Sequence, residues 1–257
     1  MAAKSVALVT GASQGIVRAT ALRLARDFSV IVLVARDKDK LEKTASDVIS
    51  LGAEAMVYVL DLRQPQSAKT IIERTLERYG RIDALLNIAG AVPQIDLFQM
   101  TDAQWDDGMA LKLNGARRLT IEAWNALKAS QGSVVLISGS AAFDPKPEDA
   151  AVATINAAIN ALAKAFAEQG IKDGVQVNSV SPGAVMTGRR QSFLEKWAPA
   201  HNLTVEEAIR IYPEQAGITR FGKPEEIADL MSYLVSPAAK WMTGASVRMD
   251  GGEIKGI

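Results

Sequence analysis

The stretch VALVTGASQGI (6–16) sets Gly11 and Gly15, with Ser13 and Gln14 between them, in a turn joining an apolar run to a helical period that Ile16 opens. Backbone N–H groups at such a helix start, with the positive end of its dipole, suit a pyrophosphate. The two glycines permit tight turning and close approach. A lone Gly pattern also fits an ordinary βα turn, but its place after the first strand of a βαβ unit favours the phosphate. The second apolar run ends VIVLVARDKDK (30–40). An acidic residue at such a strand end takes ribose hydroxyls and marks NAD. Here Arg36 follows Ala35, and a cation suits a 2′-phosphate. NADP(H) is therefore the preferred cofactor, with NAD(H) kept open. A solvated loop charge is the plain alternative for Arg36, and helix-surface charge is the plainer reading of Lys38 and Lys40.

A redox nucleotide needs a proton donor near its reacting end. The stretch DPKPEDAAVATINAAINALAKAFAEQG (144–170) reads as a long helix where such a donor would stand, yet it holds no Tyr, His or Cys. Its acidic start offers Asp144, Lys146, Glu148 and Asp149, which read better as a Pro-rich loop and a helix N-terminus. Just before it, ISGSAAF offers Ser138 and Ser140, either of which also fits a turn-capping serine.

These residues need elements to hold them. Runs 5–10, 30–35, 55–60, 83–88, 133–138, 175–180 and 245–249 are short and almost continuously apolar, as in strands covered on both faces. Helical periods fall near 15–27, 38–51, 66–79, 103–129, 150–169 and 224–236. This alternation predicts an α/β fold, a doubly wound parallel sheet with right-handed crossovers. No linker or repeat divides residues 1–257, so a single domain is expected. The segment 187–222 interrupts the alternation, and insertions at the carboxyl ends of parallel strands cover ligand crevices. Its Phe193, Leu194, Trp197 and Ile209 read as packing or as an apolar substrate wall.

Lys+Arg and Asp+Glu are 29 each, which gives no reason to expect nucleic acid or a membrane surface as partner. Without cysteine there is no disulfide framework or thiol nucleophile, and His201, the single histidine, reads as a surface residue. MAAKSVALVTGAS lacks the pattern of a signal peptide, and no apolar run nears the ~20 residues of a membrane span. A cytoplasmic protein acting on a small molecule is the expectation.

The chain resembles the short-chain dehydrogenase/reductase family along almost its full length. TGASQGI is similar to the family's TGxxxGI turn, and LDL (60–62) to the segment whose acidic residue, Asp61 beside Leu62, meets the adenine. NIAG (87–90) is similar to NNAG, which brings in Asn87, Ala89 and Gly90, and LKLNGAR puts Asn114 at the active-site Asn. NSVSPGAVMT (178–187) is similar to the segment beside the nicotinamide, with Pro182, Gly183, Val185 and Thr187. RFGKPEEIA and TGASVRMDGG resemble the C-terminal signatures. The resemblance implies a single-domain, Rossmann-like sheet of seven parallel strands, a nicotinamide cofactor, a homodimer or homotetramer, and hydride exchange between cofactor C4 and an alcohol or carbonyl.

The departures fall on the catalytic helix. The family's YxxxK is followed by a pattern that NAAINALAKAFA (156–167) matches without gaps, so Val152 stands for the Tyr and Asn156 for the Lys. Tyr58, Tyr79, Tyr212 and Tyr233, the chain's four tyrosines, have no Lys four residues on. Asn156 could still hold ribose hydroxyls or tie the helix to a loop. The catalytic Ser maps to Ser140 or Ser138, with Gly139 at the ungapped position. Asn114, Ser140 and Thr154 could then form a polar cluster with no titrating acid, and Tyr212 is a further candidate donor. Val17 replaces a family glycine, and Ile88 the second Asn of NNAG. Two outcomes fit: an oxidoreductase with an altered proton-donor site, or a dinucleotide-binding homologue that is catalytically silent, serving as a sensor or subunit. A non-redox enzyme on the same scaffold is a weaker third.

Overall fold

The computed structural model describes residues 4–256; the part of the signal-peptide expectation that rests on residues 1–3 lies outside them. The apolar runs form β1 (Val6–Thr10), β2 (Val30–Ala35), β3 (Glu54–Val59), β4 (Ala84–Asn87), β5 (Ser133–Ile137), β6 (Gln176–Pro182) and β7 (Ser246–Met249). They pair in parallel in the order β3-β2-β1-β4-β5-β6-β7. The order reverses between β1 and β4, and in such sheets a ligand crevice opens beyond the carboxyl ends of those two strands. Every residue of β1 and β5 is buried, because helices cover both faces.

Local chemistry sets the helix ends. Helices α1 (Gly15–Leu24), α2 (Lys38–Ser50) and α3 (Pro65–Tyr79) follow the first three strands. Asp37 caps α2 by accepting from the Lys40 amide at 3.2 Å. Helix α4 (Asp102–Gly108) opens with a Thr101–Gln104 capping box.

The single helix expected over 103–129 is broken. Between α4 and α5 (Gly115–Ser130) runs a π-turn, Met109–Asn114. Gly108 and Gly115 flank it, and a Cβ at either would press on a neighbour, Ile155 at 3.1 Å or Leu62 at 3.3 Å. Glycine there lets the widened turn settle onto the sheet and α6 (Ala150–Asp173). π-bulges of this kind concentrate at functional sites.

With the 3₁₀ turn before it, α6 is long and apolar enough to cross a membrane by length and composition, with a mean hydropathy of 1.4 over its best window. This corrects the expectation that no run qualifies. The apolarity has another use, since Ile155, Ile159, Ala163 and Ala167 are buried where α6 packs on β5 and β6. The insertion forms two helices, α7 (Gly188–Ala200) and α8 (Val205–Gln215), which share a small core around Leu194, Ala198, Ala208 and Phe221. Helix α9 (Pro224–Leu234) then packs on α1.

Candidate active site

A crevice of about 1140 Å³ lies over the carboxyl ends of the strands. At its first wall, the Gly11 amide donates to the Val34 carbonyl at 2.7 Å, bending the chain away from β1 with φ of 85°. A Cβ on Gly11 would meet Ala89 Cα at 2.9 Å, so only glycine lets the turn close on the segment after β4. Thr10 fixes that segment, its hydroxyl accepting from the Ile88 and Ala89 amides at 3.0 Å each. Gly15, with φ of 59°, starts α1 and faces Thr187 across the opening. Ser13, Gln14, Ile16, Ala89 and Gly90 line the same wall.

Arg36 and Asp61 line the far end, with Arg36 Nη1 3.7 Å from an Asp61 carboxyl oxygen and Leu62 beside them. Pro182, Gly183, Val185 and Thr187 form the opposite rim. A dinucleotide fits this arrangement: a glycine-lined helix start, a cation and a carboxylate at one end, and an open rim at the other.

Three expected positions fall elsewhere. Asn87 is buried, and its amide donates to the Thr120 hydroxyl at 3.1 Å, so it ties β4 to α5 and does not line the crevice. Asn114 is likewise absent from the lining; on its turn, Leu111 and Lys112 face the crevice. The π-turn presents Lys112, and not Asn114, to the crevice. Thr154 is exposed on α6 and joins no cluster there.

Val152 and Asn156 both line the crevice, one helical turn apart. The decisive neighbour is Lys112, which is 9% exposed. Its ammonium donates to Asn156 Oδ1 and to the Ser138 carbonyl, the latter at 3.0 Å. Ser138 also donates through Oγ to the Asn156 carbonyl at 2.8 Å. A Cβ on Gly139 would stand 2.6 Å from Asn156 Nδ2, so the ungapped serine position has given up its side chain to the amide.

Burial holds the Lys112 ammonium down to a pKa of about 7, and the Arg189 cation pushes the same way. The folded value lies below the ordinary lysine value of 10.5, so between about 7 and 10.5 the unfolded chain carries more of this proton. Stability should therefore rise with pH over that window, by up to ~1.4 kcal/mol per unit for this group. Urea denaturation from about pH 7 to 9 should show this slope in the wild type and lose it in Lys112→Met. Equal slopes in the two proteins would contradict the buried cation.

Other candidate donors stand further round. Ser140 donates to Glu253 at 3.3 Å, and the same carboxylate accepts from the Ala184 amide at 3.1 Å. Glu253 was not legible as a site residue, since nothing in the C-terminal segment marks it. Asp149 lines the crevice where a 3₁₀ turn leads into α6; burial raises its carboxyl, and the carboxylate accepts from the Lys146 amide at 3.3 Å. Tyr212 reaches the lining from α8, stacked on Phe221, with its hydroxyl accepting from Arg190 at 3.2 Å. Phe193, Trp197 and the exposed His201, stacked on Trp197, complete the lid wall, while Leu194 and Ile209 serve the lid's own packing.

Fold and crevice together define a dinucleotide-binding scaffold of the doubly wound kind. Residues 11–253 match the model of a family described as enoyl-(acyl carrier protein) reductase. The chain belongs to the short-chain dehydrogenase/reductase family. It is 31% identical to the 3-oxoacyl-(acyl-carrier-protein) reductase of Synechocystis over 252 residues, 97% of this chain and 96% of that protein. The L-sorbose reductase of Gluconobacter frateurii, solved with NADPH and L-sorbose, superposes with a TM-score of 0.93 at 26% identity, covering 98% and 97% of the two chains. YwfH, an NADPH-dependent reductase of bacilysin biosynthesis, superposes with a TM-score of 0.92 at 25% identity over 99% of this chain and 100% of its own.

Proposed function

We propose that the protein is an NADP(H)-preferring oxidoreductase acting on a carbonyl or alcohol of a small molecule, with an altered proton-donor site. The observation that carries this is the crevice itself, where the expected cofactor positions other than Asn87 gather while Val152 stands at the expected donor position. When bound, the nicotinamide supplies or takes the hydride. Around it, Gly11, Ser13 and the start of α1 hold the pyrophosphate, Arg36 holds the 2′-phosphate and Asp61 the adenine. Asn156 Nδ2, which makes no hydrogen bond among the described residues, is free for the ribose hydroxyls. NADPH in the solved L-sorbose reductase and the NADPH dependence of YwfH support the same preference. Exposed Ile121 on α5, Ile171 on α6 and Trp241 offer apolar surface for a homodimer or homotetramer.

Arg36→Asp tests the cofactor assignment. A phosphate contact of this type contributes about 1.5–3 kcal/mol, so NADPH affinity should fall ~10–100-fold. NADH affinity should hold or improve. A fluorescence titration showing an unchanged ratio would remove Arg36 from the site.

A second reading keeps cofactor binding and drops turnover. It is favoured by Val152, which has no proton to give, and by the empty side-chain position at Gly139. Tight NADPH binding without reduction across a broad carbonyl panel would establish it.

A further inference from the structure

We propose that Lys112 is the proton donor of this site, a catalytic residue brought in from the π-turn to replace the chemistry missing from α6. The inference deepens the reductase reading above and rests on it. A lysine ammonium has three N–H groups and a neutral amine has two. The protein supplies two acceptors, Asn156 Oδ1 and the Ser138 carbonyl. Both anchors are satisfied whether Lys112 is charged or neutral, so the third proton can leave without disturbing the site.

The surroundings favour such a transfer. Three uncharged residues touch the side chain: Asn156 of α6, Ser138 after β5, and Gly90 after β4, whose missing Cβ leaves room for the lysine stem. Arg189 of α7 is the charged group that acts on it, whereas Asp149 and Glu253 line the same crevice without contributing. A buried cation held near neutrality by desolvation is poised to give up a proton to developing alkoxide charge. In the reduction, the hydride forms the new C–H bond and oxidises the cofactor. The carbonyl π pair moves to oxygen, the N–H bond of Lys112 breaks and an O–H bond forms. The amine left behind regains its proton from solvent, and oxidation of the alcohol runs the same steps in reverse.

Lys112→Arg keeps a cation and both anchoring donors but cannot release a proton near neutrality. NADPH affinity of this variant, read by fluorescence, should stay within about threefold of wild type. Turnover of ethyl acetoacetate, 2,3-butanedione and a wider carbonyl panel should fall ~100-fold or more. Wild-type kcat for reduction should decline as pH rises through about 7, and the variant's should be flat. The readout independent of turnover is an NMR titration of protein labelled with ¹³C at lysine Cε, with Lys112→Arg assigning the resonance. A midpoint near neutrality supports the assignment. A midpoint at the ordinary lysine value overturns it whatever the enzyme does. Turnover that survives Lys112→Arg overturns it while leaving the reductase reading in place. NADPH binding with no reduction of any carbonyl by wild type overturns the reductase reading, and this step with it.

Discussion

Rebuilding the family's catalytic set in this crevice should raise carbonyl reduction by ~10²–10⁴ over the donor-less Lys112→Asn variant on simple ketones, the range a positioned general acid contributes. The variant is Val152→Tyr with Asn156→Lys, Gly139→Ser and Lys112→Asn. Each change answers an observation. Val152 and Asn156 line the crevice one turn apart, so a phenol and an ammonium placed there share one face of α6. Lys112→Asn removes the cation that now sits on Asn156. With the amide gone from position 156, the space beside Gly139 no longer meets Asn156 Nδ2. Steady-state loss of NADPH absorbance reads the gain. A folded, NADPH-binding quadruple variant with no gain on any carbonyl would show that the lid and rim no longer admit such substrates.

Asn156→Lys alone should do the opposite and destabilise the protein by about 3–5 kcal/mol, the cost of a buried charge without a partner. Asn156 is 2% exposed, and its side-chain oxygen accepts from the Lys112 ammonium. A second lysine there turns a donor–acceptor pair into two like charges in one desolvated place, and it leaves Lys112 with the Ser138 carbonyl as its one remaining acceptor of the two. Lys112→Asn in the same chain reverses the pair and should recover most of the loss, since donor and acceptor are again matched. Chemical denaturation of the two single variants and the double gives the coupling energy directly. Additive effects would mean that the two side chains do not depend on each other.

Much of the scaffold was legible because it follows from period and position. β2 coincides with the apolar run read as 30–35, and the glycine turn after β1 holds the crevice wall as the βαβ context implies. A lysine within a helical period reads as surface charge, which hides Lys112. The apolar spacing of 103–129 is continuous through the π-turn, and a π-bulge leaves no mark in hydrophobic period. The resemblance through LKLNGAR points to Asn114, whereas Lys112 is the residue of that turn that lines the crevice. Asn87 was assigned by motif to the cofactor, yet the β4 pleat turns it to Thr120. The lid aromatics divided between packing and lining because a two-helix insertion has an inner core and a crevice face at once. Glu253 lies beyond the last strand, where no period constrains the reading.

The most direct measurement is a single-turnover reaction. The protein is saturated with NADPH, mixed with a carbonyl panel, and followed by nicotinamide absorbance and by product analysis over a range of pH. The predicted result is oxidation of bound NADPH with stoichiometric alcohol for at least one carbonyl, slowing as pH rises through about 7, where Lys112 loses its proton. NADPH held tightly and left unoxidised at every pH would contradict the account and mark the chain as a silent dinucleotide-binding homologue.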